Sequence, residues 1–129
     1  MAAEAGHIRL AHIDDDSREL TDPQIAAWFL ELVEGDRTAT TAMVPVERVR
    51  SNPFAPLLGE DTVNDRLRTV SSGRWEPELW VAALPGGDLV DVDTPYDCEV
   101  VKRGGFRFVI VHILGTLTES DCARIGIEP

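Results

Sequence analysis

The stretch LWVAALPGGDLVDVDTPYDCEVVKRGGFRFVIVHIL, residues 79–114, decides the fold of this chain. Its first segment, residues 79–84, is an apolar run of residues that favour strands. Residues 89–93 alternate apolar and acidic side chains, which is typical of a half-buried strand with its polar side chains facing outward. The Pro-Gly-Gly-Asp sequence at residues 85–88 is typical of a turn. The two segments therefore predict a hairpin.

A short helix and a long strand complete this stretch. Thr94 followed by Pro95 is typical of a helix start, and Gly104 and Gly105 are typical of a helix end. Residues 106–114 are the most strand-like run in the chain and predict a strand buried on both faces. Backbone N–H groups at a helix N-terminus favour anions, so we expect any functional site where the strand meets the helix at Thr94.

The rest of the chain predicts helices around this core and one strand at the edge of the sheet. Pro45 lacks a backbone donor, so the strand at residues 43–49 lies at an edge or has the proline nitrogen facing outward. The fold class is therefore α+β, a small mixed β-sheet with flanking helices, preceded by an N-terminal strand-helix extension. The expected boundary divides residues 1–41, the extension, from residues 42–129, the main domain. The remaining predicted elements are a strand at residues 7–13, a helix that is capped by Thr21 or Asp22 and stops at Gly35, a helix at residues 62–71, and a final helix capped by Thr118.

The composition and net charge of the chain limit the kinds of function that it can have. The chain has 129 residues, 43% of them hydrophobic, and a formal net charge of −11. This charge argues against direct binding to duplex DNA. Two interpretations stay open for it: a soluble surface that repels itself, or an acidic surface that docks on a basic protein partner. No apolar run reaches membrane-spanning length, and the two cysteines, Cys98 and Cys122, lack metal-ligand spacing. We expect a cytoplasmic protein with free thiols and no membrane association.

Four aromatic residues, three of them outside the central stretch, are candidates for contacts with a partner. Trp28 and Phe29 belong to the apolar stripe of the predicted helix that stops at Gly35. Two interpretations stay open for this stripe: packing onto the sheet, or docking of a partner or a second copy of the chain. Trp75 and Trp80 complete the set of candidate interface residues, and a homodimer is one of the possible outcomes.

The order of elements resembles the N-terminal domain of ParB-like proteins, a fold shared with sulfiredoxin. The resemblance covers residues 44–127. The segment VPVERVRSNPF, residues 44–54, resembles the opening strand and Asn-Pro loop of the family, residues 62–73 the following helix, and residues 108–111 the final strand. Stand-alone domains of this kind are familiar among phage and mobile-element proteins. The resemblance implies a nucleotide or nucleic-acid context, with Asn52, Thr94, Pro95 and Tyr96 at the phosphate-binding positions.

The functional positions depart from the family pattern. Family members carry Gly-x-x-Arg after a strand, where the glycine admits a phosphate and the arginine pairs with it. Here the corresponding residues are Asp93 to Tyr96, so a carboxylate replaces the glycine and a phenol replaces the arginine. The resemblance therefore implies a degenerate domain that acts as a binding protein, without nucleotide turnover and with no resident cofactor. The residual catalytic candidates are Asp93, Tyr96 and Asp97.

A second resemblance keeps an alternative open. The segment DVDTPYD, residues 91–97, is similar to the Asp-x-Asp-Thr-Pro-x-Asp segment of molybdopterin-guanylyltransferase-like enzymes, which hold a divalent metal with carboxylates. Asp91, Asp93 and Asp97 are thus the candidate ligands for Mg²⁺, which prefers carboxylate oxygens. The alternative function is a metal-dependent nuclease, or a nucleotide-binding and hydrolysing ParB-like enzyme that uses CTP or ATP.

Overall fold

The computed structural model describes residues 21–35, 39–54, 59–73, 76–93 and 95–129. A short 3₁₀ helix, Val46–Arg48, separates the first two strands. The helices are α1 Asp22–Gly35, α2 Glu60–Ser71, α3 Pro95–Arg103 and α4 Glu119–Ile125, and the strands are β1 Thr40–Pro45, β2 Val49–Arg50, β3 Glu78–Ala83, β4 Leu89–Asp91 and β5 Phe108–Thr116. The predicted strand at residues 7–13 lies outside the described residues.

The five strands form one mixed sheet in the order β1-β5-β3-β4-β2. The long strand β5 pairs antiparallel with β1 and parallel with β3. The predicted hairpin is present as the antiparallel pair of β3 and β4, and its turn is closed by a 2.8 Å hydrogen bond from Leu84 N to the carbonyl of Asp88. Gly87 has a φ of 103° in this turn, a value that side chains disfavour. The fold class is the predicted one, α+β with a mixed sheet and flanking helices.

Pro45 lies in the edge strand β1, as its missing donor predicted. The strand expected over residues 43–49 is nevertheless interrupted. Val46 N donates a 3.0 Å hydrogen bond to the carbonyl of Arg107, and the chain turns through the 3₁₀ helix before β2 begins. β2 then crosses to the opposite edge and pairs parallel with β4.

Helices cover both faces of the sheet. On one face, α1 and α4 pack over β3, β4 and the end of β5, and this cluster is centred on Trp28, Phe29, Val90, Leu114 and Leu117. On the other face, α3 covers Leu79, Val81, Val109 and Val111. α2 packs on α3 in antiparallel fashion, because Arg66 pairs with Asp97 while Arg103 pairs with Glu60.

The central strand β5 is not buried on both faces along its whole length. Val109 and Val111 are buried against α3, whereas Phe108 is 55% exposed. The prediction of burial on both faces was therefore wrong at the beginning of β5. The face that carries Phe108 is covered by α1 and α4 only further along the strand, around Leu114.

Candidate binding site at the junction of β4 and α3

Asp91 ends β4 and lies in the interior of the protein. Its side chain is only 1% exposed, although the alternating pattern of residues 89–93 predicted an outward-facing carboxylate. All three residues of β4 are buried, because helices cover the sheet on both sides of this strand. Oδ1 of Asp91 accepts a 3.3 Å hydrogen bond from Asp93 N, while Oδ2 has no hydrogen-bond partner among the described residues.

This environment changes the acidity of Asp91. Burial raises its pKa from 3.8 to about 8, and the hydrogen bond from Asp93 N opposes this rise only in part. The nearby charges of Asp93 and Asp97 contribute to this rise, and the value of about 8 includes all of these effects. Asp91 is therefore largely protonated at neutral pH, since a charged carboxylate without solvent or a cationic partner is costly.

The Asn-Pro loop reaches this junction through Asn52. The Asn52 side chain is buried, and its Nδ2 donates a 3.1 Å hydrogen bond to the carbonyl of Asp93. Its Oδ1 accepts a 2.9 Å hydrogen bond from Phe54 N, which fixes the loop in an Asx turn. The structure thus brings together Asn52 and Asp93, two site residues named from distant parts of the sequence.

Asp97, in the first turn of α3, forms an ion pair with α2. Arg66 Nη1 lies 2.8 Å from Asp97 Oδ1. Partial burial raises the pKa of Asp97, and the positive charge of Arg66 offsets only part of this rise. The guanidinium of Arg66 is therefore engaged by a carboxylate of the chain itself, which leaves less of its charge for a phosphate.

Cys98 also lies beside this junction, and the sequence did not single it out as a site residue. Its Sγ is 3.6 Å from Ser51 Oγ, and burial raises the pKa of the thiol to about 11. Such a group stays protonated at neutral pH and is a poor nucleophile. Both cysteines are free and buried, as expected.

The three carboxylates proposed as metal ligands do not form a metal centre. Among the described residues, no group of three or more histidine, cysteine, aspartate or glutamate side chains could hold a metal ion. Asp91 is buried beneath the junction, and Asp97 is turned to Arg66. The local sequence shows the spacing of the three carboxylates, but not the burial and pairing that separate their roles.

The other residues predicted for phosphate binding or for an interface differ in how far the structure describes them and in their burial. Thr94 and Trp75 lie outside the described residues, and Pro95 and Tyr96 are described by their backbone alone. Trp28 and Phe29 are both 0% exposed, so the docking alternative does not hold for these two side chains. They pack onto the sheet, which is the first of the two interpretations of their stripe. Trp80 is half-buried and stacks on His112 at a ring distance of 4.4 Å.

Comparison with solved structures finds a likeness to a chromosome-partitioning protein. The C-terminally truncated chromosome-partitioning protein ParB from Caulobacter crescentus, complexed with CTP-gamma-S, matches with a TM-score of 0.51 and 18% sequence identity. The match covers 57% of this chain and 43% of that chain. The fold is ParB-like.

The ParB-like fold agrees with the resemblance read from residues 44–127. No protein-family model and no curated protein sequence matches the chain. In the described ranges, no helix has the length and apolar character needed to span a membrane. The comparisons thus support the architecture, and the function rests on the chemistry of the junction.

Proposed function

We propose that this chain is a ParB-like binding domain that engages a basic protein partner through its acidic surface and does not turn over nucleotide. The observation that carries this proposal is the charge at the β4–α3 junction. Asp91, Asp93 and Asp97 lie close enough for the last two to raise the pKa of the first. Asp91 is largely protonated and Asp97 is paired with Arg66, so the carboxylate of Asp93 is the group that favours a cation over another anion at this junction.

The size of the electrostatic interactions at the junction favours a cationic partner over a phosphate. Two like charges 4 Å apart repel by about 4 kcal/mol at an effective dielectric constant of 20. A charge-assisted hydrogen bond contributes about 1.5–3 kcal/mol, and the arginine of the family pattern is replaced by Tyr96. A phosphate at this junction would therefore meet repulsion from Asp93 without the compensating arginine.

The proposal is tested by capturing partners from the native host with the wild-type chain and with Asp93→Asn. We expect a basic protein whose complex weakens as salt is raised, because surface charge attraction is screened. Asp93→Asn should weaken the complex, and Asp65→Asn, on the exposed surface of α2, serves as the matched control. A complex indifferent to salt and to Asp93→Asn would overturn the electrostatic basis of the proposal.

The second candidate function is nucleotide binding without hydrolysis. It is favoured by one observation, namely that the ParB structure similar to this chain was solved with CTP-gamma-S. Calorimetric titration with ATP and CTP distinguishes the two candidates, since only nucleotide binding gives saturable heat. The metal-dependent nuclease has less support, because the described residues offer no group that could hold a metal ion. Titration with Mg²⁺ or Mn²⁺ tests that alternative directly.

A further inference from the structure

A cleft lies at the opposite end of α3 from the junction. It has a volume of about 570 Å³, within the range of small-molecule sites. Lys102 lies seven residues after the start of α3, which at 1.5 Å per residue separates this cleft from the junction by about 10 Å. The lining residues are Pro45, Val46, Glu47, Lys102, Phe106, Arg107 and Phe108.

Two cations of this cleft have no carboxylate partner among the described residues. By contrast, Arg50 pairs with the carboxylate of Asp88. Arg107 forms no ion pair or side-chain hydrogen bond within the described part of the chain. Lys102 Nζ donates a 2.7 Å hydrogen bond to the carbonyl of Val49, a neutral acceptor that leaves its charge in place. The cleft therefore holds two positive charges in a chain whose formal net charge is −11.

The aromatic walls of the cleft are held in position by the backbone. Phe106 N donates a 3.3 Å hydrogen bond to the carbonyl of Val101 at the end of α3. Gly104 permits this approach, because a Cβ there would lie 2.8 Å from Phe106 Cε2. The carbonyl of Arg107 accepts from Val46 N across the cleft. Phe108, 55% exposed, supplies a second ring that is free to contact a ligand.

We propose that this cleft binds a singly charged organic anion with an aromatic or aliphatic body. Lys102 and Arg107 contribute two positive charges to the lining and Glu47 contributes one negative charge. The net charge of the lining is therefore +1, which favours a ligand with a single negative charge. The guanidinium of Arg107 offers paired donors to a carboxylate or sulfonate. The two phenylalanine rings provide an apolar surface for the body of the ligand. This site is independent of the junction and of the function proposed for it.

The test uses 8-anilinonaphthalene-1-sulfonate, a fluorescent aromatic monoanion, with the full chain. We expect saturable binding, and Arg107→Gln should weaken it about tenfold or more, the effect of losing one charge-assisted hydrogen bond. Phe108→Ser should weaken it as well. Arg68→Gln is the matched control, because Arg68 is exposed on α2 and pairs with Asp65. All three positions are exposed, and circular dichroism verifies that each variant is folded.

Competition experiments define the ligand chemistry. Phenylacetate should displace the dye, whereas the neutral phenylacetamide and inorganic phosphate should not. The proposal is overturned if the dye does not bind, if Arg107→Gln binds it as tightly as the wild type, or if phenylacetamide competes as well as phenylacetate. Amide chemical shifts of residues 106–108 should move on titration with phenylacetate, and shifts confined to other residues would also contradict the proposal.

Discussion

The carboxyl group of Asp91 makes the stability of this fold depend on pH. Its pKa is about 8 in the folded chain and 3.8 without the surrounding protein. Between these values, the unfolded chain has lost a proton that the folded chain retains. The free energy of unfolding therefore falls as pH rises from about 4 to about 8, by up to about 1.4 kcal/mol per pH unit. Above about pH 8, Asp91 is also ionised in the folded chain, so the free energy of unfolding no longer falls on account of this group.

Asp91→Asn should remove this pH dependence. The amide oxygen still accepts from Asp93 N, and the side chain no longer ionises. We expect the variant to be more stable than the wild type at pH 8 and close to it at pH 4, as measured by urea denaturation across this range. Asp65→Asn, an exposed substitution, is the control. Parallel pH profiles for wild type and Asp91→Asn would show that Asp91 is not the group responsible.

Asn52 links the Asn-Pro loop to the junction, so its removal should affect stability. Asn52→Ala loses the hydrogen bonds to Asp93 and Phe54, and we expect a loss of about 1–3 kcal/mol in the free energy of unfolding. Asn64→Ala, on the exposed side of α2, should cost much less. Equal denaturation midpoints for the two variants would mean that these hydrogen bonds do not hold the junction together.

At the scale of helices and strands, the sequence correctly predicted the features that depend on neighbouring residues, such as caps and turns. Thr118 was expected to cap α4, and it does so in a capping box with Asp121. The turn at residues 85–88 was likewise read correctly. The interruption of the strand at Val46 was not, because it depends on a hydrogen bond to Arg107, 61 residues away in the chain.

The candidate site shows the same division between local and long-range information. The sequence indicated a strand-to-helix junction and named Asn52 and Asp93, which the fold brings together. The sequence did not reveal that Asp91 is buried. An alternating pattern predicts a strand with one exposed face, and only the fold shows that helices cover both faces of this strand. The apolar stripe of α1 showed that Trp28 belongs to an apolar face, but not which surface covers that face.

The capping box of α4 gives a prediction at this scale. Thr118→Ala removes the acceptor for Asp121 N and should reduce the free energy of unfolding by about 1 kcal/mol. Thr118→Ser retains the hydroxyl and should lose only a fraction of that amount. Thermal or chemical denaturation of both variants provides the measurement. A Thr118→Ser variant as unstable as Thr118→Ala would show that the cap hydrogen bond is not the cause.

At the scale of the whole molecule, α1 belongs to the same core as the sheet. Trp28 and Phe29 contact each other at a ring distance of 4.9 Å, and they share a buried cluster with residues of β3, β4 and α4. The division at residue 41 stays a prediction about sequence organisation. The packing indicates that the part following this division depends on α1 for its stability.

Trp28→Ala should therefore destabilise the entire chain. Removing a fully buried indole costs about 3–5 kcal/mol, a large share of the 5–15 kcal/mol that stabilises an ordinary domain. Leu30→Ala, at a position 49% exposed on the same helix, is the matched control. Chemical denaturation should show a large loss for Trp28→Ala and a small one for Leu30→Ala. Similar small losses would mean that α1 is a dispensable extension.

The central claim is that the charge of the β4–α3 junction disfavours nucleotide phosphates. Calorimetric titration of the wild-type chain with CTP in the presence of Mg²⁺ tests it most directly. We predict no saturable heat, because Asp93 repels the phosphates and Arg66 is already paired with Asp97. Saturable heat that disappears when Asn52 is replaced by alanine, in a variant verified as folded, would contradict the claim and place the nucleotide at this junction.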